Sequence, residues 1–100
     1  MAEPGFVQII ECRTSRFDEL MALEAEWLAA TEGKRTLRRT MVCRDRNDPS
    51  RHLILAFFDD YESAMVNSNL PETGDFGQKQ QALYDGPPTF TDLDIIEDKS

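Results

Sequence analysis

The stretch from Leu23 to Leu28, "LEAEWL", places a carboxylate where a helix should be apolar. At 3.6 residues per turn, the near neighbours of Glu24 on the helix surface are Leu20, Met21, Trp27 and Leu28. A buried carboxylate needs a cationic partner, a raised pKa or a position at the rim. A carboxyl group whose pKa is raised towards neutrality can act as a general base.

Arg39 is the candidate partner of Glu24, because it is the lone charge on a predicted strand face with Leu37, Met41 and Cys43. The pair would form if that face meets the helix. Three interpretations of Glu24 stay open: a structural ion pair, a rim residue, and a general base for a phenol or enol proton. In the functional interpretation Arg39 helps to bind the substrate.

Trp27 and His52 are the next candidates. Trp27, the only tryptophan, is either a core anchor or a platform for a flat aromatic ligand. His52 begins a predicted strand, where a lone histidine is more often a surface or interface residue than a catalytic base.

Asn67 and Asn69 precede Pro71 at a predicted break between helices. Capping and turn formation explain asparagine there, and the alternative is an amide donor to a ligand oxygen. Tyr84 and Tyr61, near helix ends, are half-buried rings or hydroxyl donors to a ligand.

The elements that must position these side chains follow from periodicity and turn residues. Apolar residues on both faces predict the first and third strands, an alternation with a period of two predicts the second, and the segment before the polar tail is interpreted as the fourth. The predicted strands cover residues 6–13, 34–46, 51–58 and 90–96.

Three helices are expected between the strands. The first begins at an N-cap on Ser15 and ends near Glu32, with Gly33 as a left-handed stop. Asp59 and Asp60 cap a second helix over 61–68. The third, 71–84, contains two glycines and could serve as a mobile cover.

The order β-α-β-β-α(α)-β predicts an α+β, ferredoxin-like fold with one antiparallel sheet, helices on one face and one domain over residues 1–100. Since one helical layer covers only one face, the other apolar face needs a second cover. We expect a homodimer joined sheet to sheet.

Charge and cysteine content exclude several classes of function. The net charge is −8, and seven of the eleven basic residues lie between 34 and 51, alternating with buried-type residues, so nucleic-acid binding is not expected. Two cysteines and one histidine are too few for a zinc site. No apolar run is long enough for a membrane span and no export leader opens the sequence, so we expect a cytoplasmic protein.

The plan, the length and three segments, "EWLAATEGKRT" (26–36), "NSNLPET" (67–73) and "DGPPTFTDLDII" (85–96), resemble small actinobacterial proteins of the antibiotic biosynthesis monooxygenase-like (ABM-like) group. These belong to the dimeric α+β barrel superfamily. The group includes cofactor-independent monooxygenases of polycyclic phenols, haem-degrading enzymes and members with no assigned reaction.

The resemblance implies a pocket between sheet and helices where tryptophan, asparagine and tyrosine hold a phenolate while O₂ attacks. Trp27, Asn67 and Tyr84 are the candidates here, with Glu24 or His52 as the base. Haem is not expected, because the resemblance implies a histidine on a helix and no predicted helix contains one; no cofactor or metal is expected. A non-catalytic dimer that binds a metabolite or a partner protein, and a proton-transfer isomerase, are the alternatives.

Overall fold

The computed structural model describes residues 5–100. Four strands and three helices follow in the predicted order. The strands are β1 (Gly5–Arg13), β2 (Arg39–Arg44), β3 (Arg51–Phe58) and β4 (Thr89–Ile95). The helices are α1 (Phe17–Ala30), α2 (Tyr61–Ser68) and α3 (Pro71–Gln81).

The strands form one antiparallel sheet in the order β2-β3-β1-β4. Ile10 on β1 lies opposite Ile54 on β3 and Phe90 on β4, which fixes the register. The α+β, ferredoxin-like prediction is therefore confirmed, with the two halves of the split β-α-β plan meeting at β1 and β3.

Alternation along each strand divides the sheet into two faces. Even-numbered residues of β1 and β3 face the helices, and two core clusters form there, one around Phe6 and Phe58 and the other around Cys12 and Ile54. Leu20 of α1 joins the second cluster and is fully buried.

The start of α1 differs from the prediction. Its N-cap is Arg16, without a side-chain cap, and the hydroxyl oxygen of Thr14 accepts from the Arg16 backbone N–H at 2.9 Å. The same hydroxyl donates to the Leu83 carbonyl at 2.7 Å. The N-cap predicted at Ser15 is therefore wrong, and the buried Thr14 instead links the turn before α1 to the segment after α3.

β2 is shorter than the predicted span of 34–46. Thr36 is tied to α2 instead of to a neighbouring strand: its backbone N–H donates to the Asn67 side chain and its hydroxyl to the Ser63 carbonyl. These contacts with α2 hold Thr36 outside the ladder, and pairing with β3 begins near Arg38, whose N–H donates to the Phe57 carbonyl at 2.8 Å. Gly33 adopts the predicted left-handed conformation, with φ +80°.

The break between α2 and α3 lies where it was predicted. Asp60 caps α2 by accepting from the Ser63 N–H at 2.7 Å, and Pro71 opens α3. α3 ends at Gln81 rather than Tyr84 and has no fully buried residue. It packs on α1 and α2, at the outside of the helical layer.

The sheet face turned away from the helices carries apolar side chains that the described residues leave partly exposed. Met41 is 38% exposed and Leu93 44% exposed, and Leu53, Leu55 and Phe57 are half-buried. No helix among the described residues is long and apolar enough to cross a membrane.

Candidate functional site

A cavity of about 270 Å³ lies between the sheet and the helices. Ile10, Ile54 and Ala56 form its floor, and α1 and α3 cover it. A cavity of about 150 Å³ is enough to bind benzene in a protein interior. This one is large enough for a fused two-ring molecule, and most of its lining is apolar.

Glu24 lines this cavity from α1 and is half-buried. Burial raises the pKa of its carboxyl group above the ordinary value for glutamate. Desolvation is the sole cause of the shift, and no cation within residues 5–100 pairs with the carboxylate. Such a group is able to take a proton from a ligand in the cavity.

The predicted Glu24–Arg39 pair is wrong. Arg39 lies opposite Phe57 in the ladder, so its side chain belongs to the sheet face turned away from α1. Its guanidinium carbon lies 5.8 Å from the Phe57 ring centroid. Leu37 does line the cavity, but it precedes β2 and does not share the alternation of that strand.

Trp27 forms one wall of the cavity and is 7% exposed. Its indole N–H donates to the Thr73 hydroxyl at 3.0 Å, and its ring stacks on Phe76 at a centroid distance of 5.5 Å. Both partners belong to α3, so these contacts fix the ring plane and hold α3 against α1.

Asn67 is buried at the cavity wall, and its side-chain oxygen accepts from the Thr36 N–H at 3.2 Å. Because a backbone N–H can only donate, this bond fixes which side of the amide is oxygen. The NH₂ group has no protein partner within residues 5–100 and is available to a ligand oxygen.

His52 does not line this cavity, and it is 1% exposed rather than the predicted surface or interface residue. Its ring stacks on Phe17 at 4.7 Å. The ring nitrogen Nε2 accepts from Arg44 at 3.4 Å, so Nδ1 carries the proton and donates to the Ser50 carbonyl at 3.1 Å. Both ring nitrogens are occupied.

Tyr84 also lies outside the cavity lining. It packs against the cluster of Cys12, Leu20 and Ile54, and its hydroxyl is buried without a hydrogen-bond partner among the described residues. Burial raises the pKa of this hydroxyl. Of the six predicted site residues, the structure thus brings together Glu24, Trp27 and Asn67.

Sequence reasoning missed the contribution of α3. Thr73, Phe76 and Gln80 line the cavity at spacings of three and four residues, one face of the helix. Only Phe76 is apolar, so the hydrophobic pattern gave little signal. Phe90 and Gln8, on the helix side of β4 and β1, complete the edge. Residues 5–100 contain no cluster of three or more metal-ligating side chains.

Neither a family model nor a curated protein matches this sequence, but solved structures match its fold. SnoaB from Streptomyces nogalater, described as a cofactor-independent oxygenase, superimposes with a TM-score of 0.80 at 11% identity, over 95% of this chain and 96% of that one. The chain has the ABM-like fold.

Two further structures support the ABM-like fold. A Chloroflexus aurantiacus protein, provisionally named an antibiotic biosynthesis monooxygenase, gives a TM-score of 0.72 at 18% identity, covering 96% of this chain and 97% of that one. A conserved protein from Methanosarcina mazei Go1 gives 0.77 at 10% identity, covering 92% and 94%. At these identities the likeness concerns the fold.

The raised pKa of Glu24 predicts how stability changes with pH. The folded state binds the Glu24 proton more tightly than the unfolded chain, so this contribution is present below the ordinary pKa and is lost as pH rises through the raised value. Glutamine stays neutral at every pH. We expect Glu24→Gln to raise the melting temperature by a few degrees at about pH 8 and to leave it unchanged near pH 4.

The matched control is Glu26→Gln, since Glu26 is on the same helix but exposed. Thermal unfolding followed by circular dichroism should show no comparable pH-dependent gain in that variant. A melting temperature that falls in Glu24→Gln at pH 8 would show that the carboxylate has a cationic partner in solution.

Proposed function

We propose that the cavity binds a small fused-ring phenol or enol and that the protein is a cofactor-independent monooxygenase. The observation that carries this proposal is a carboxylate with a raised pKa and no cationic partner among residues 5–100, in a cavity with aromatic walls. In the same part of the chain, the NH₂ group of Asn67 at the cavity wall has no protein partner either. The shared fold with SnoaB is consistent with this chemistry.

In the proposed reaction Glu24 removes a proton from the substrate, which leaves a phenolate or enolate. The NH₂ group of Asn67 donates to the oxyanion as charge develops, and Trp27 supports the ring. The carbanion form transfers its electrons to O₂ and forms a carbon–oxygen bond. The resulting hydroperoxide loses water, so a CH₂ group becomes a carbonyl. One oxygen atom of O₂ enters the product, the other leaves as water, and the substrate supplies all four electrons.

The cavity is also compatible with the two alternative functions. Among the described residues that line the cavity, Glu24 is the one candidate acid–base side chain, because His52 and Tyr84 lie elsewhere. One base is sufficient for a proton-transfer isomerase that consumes no oxygen. A protein that binds a metabolite without converting it would need only the aromatic walls and the polar contacts.

Oxygen consumption distinguishes these functions. With naphthohydroquinone or anthrone, we expect the wild-type protein to consume O₂ above the rate of autoxidation, and Glu24→Gln to lower kcat by about 100-fold or more. Trp27→Phe should mainly raise KM. An oxygen electrode with product analysis measures both effects.

Glu26→Gln is again the control and should retain its rate within about twofold. Oxygen uptake that survives unchanged in Glu24→Gln would remove the carboxylate from the mechanism. Anaerobic deuterium exchange into the substrate without O₂ uptake would favour the isomerase, and tight binding with neither reaction would favour the binding protein.

We also infer that the open sheet face is covered by the same face of a second copy. The exposed or half-buried side chains there, including Met41, Leu55 and Leu93, form an apolar surface across the sheet. Apolar surfaces of this kind are typical of interfaces. The same face of a second copy is apolar at the same positions, so the two are complementary.

The dimer is tested by analytical ultracentrifugation at micromolar concentration. We expect a species of twice the 11.4 kDa chain, and Leu55→Glu should convert it to a monomer with unchanged circular dichroism. Val66→Glu is the control, because Val66 is 54% exposed on α2, on the helix side. A monomeric wild-type protein would contradict the inferred interface.

A further inference from the structure

The cavity has an unusual charge balance. Within the described part of the chain, no lysine, arginine or histidine side chain lines the cavity. Glu24 is the one charged residue of this lining, and the other polar side chains are neutral hydroxyls and amides. A site that binds an anionic group normally supplies a cation or a set of N–H donors. The described lining supplies no cation, and its side-chain donors are neutral amides, hydroxyls and the indole N–H of Trp27.

The basic residues near the cavity have other partners. Lys34 pairs with Glu72 at 2.6 Å, and Arg38 pairs with Asp59. Arg35 donates to the Leu28 carbonyl at 2.6 Å. These three cations are therefore engaged in contacts with other segments, and they leave the negative charge of Glu24 uncompensated.

The edge of the cavity near β4 adds negative charge. Gln8, which lines the cavity, donates its side-chain NH₂ to Asp92 at 3.1 Å. Asp92 and Asp94 lie on the helix side of β4 and are exposed. An anionic ligand that approaches along this edge meets like charge before it reaches Glu24.

We propose that the cavity accepts uncharged hydroxylated ring compounds and excludes anionic ones, and that Glu24 is the residue that determines this specificity. This proposal depends on the cavity being the substrate site. A neutral phenol can donate its hydroxyl hydrogen to Glu24 while its oxygen accepts from Asn67, whereas a carboxylate can only accept. Burial of two facing carboxylates in an apolar cavity would also be electrostatically unfavourable.

The test uses two ligands of nearly equal shape, 2-naphthamide and 2-naphthoate, at a pH of about 8. Isothermal titration calorimetry measures their dissociation constants. We expect wild-type protein to bind the amide at least about tenfold more tightly than the carboxylate. In Glu24→Gln the preference for the amide should fall to between about one-fold and threefold. Glu26→Gln should keep the wild-type preference.

The outcomes separate this specificity from the oxygenase proposal, since neither ligand is oxidised. Equal affinities in wild-type protein, or a ratio that does not change in Glu24→Gln, would overturn the role of Glu24. Failure of both ligands to bind would overturn the specificity together with the cavity as the substrate site. The expected ratio, together with no O₂ uptake when naphthohydroquinone or anthrone is the substrate, would contradict the oxygenase alone.

Discussion

The space beneath α3 is the constraint on which the site depends. α3 brings one large apolar side chain, Phe76, to the cavity, and its sequence "PETGDFGQKQQ" is otherwise polar or small. A helix of this composition cannot fill the volume above the sheet, so a cavity remains between them. The Trp27–Thr73 hydrogen bond and the Trp27–Phe76 stack hold α3 in place without closing the cavity.

The properties of Glu24 follow from that open space. A carboxylate on the inner side of α1 would need a partner in a close-packed core, whereas here it borders a cavity and is only half-buried. Burial against this mostly apolar lining raises the pKa of the carboxyl group, and no cation among the described lining residues offsets the shift. Both favour a ligand that arrives with a hydrogen to donate.

The sequence predicted the elements better than it predicted the site. β3 and α2 were placed at their exact bounds, because their ends carry an Asn-Asp-Pro-Ser turn and an Asp cap. β2 was placed too long, since hydrogen bonds from Thr36 to α2 cannot be seen in a period of two. Arg39 does share a face with Met41 and Cys43, as predicted, but that face turns away from α1. Leu37 was placed on the same face because the alternation was extended beyond the start of the strand. His52 and Tyr84 depend on contacts between distant segments, which one sequence does not reveal.

The most direct measurement is a crystal structure of the protein with naphthohydroquinone, grown without oxygen. We expect the ring to lie against Trp27, one hydroxyl within hydrogen-bonding distance of the Glu24 carboxylate and an oxygen near the NH₂ group of Asn67. A ligand bound on the open sheet face, or a Glu24 carboxylate paired with a basic side chain of a second copy, would contradict the assignment of this cavity as the substrate site.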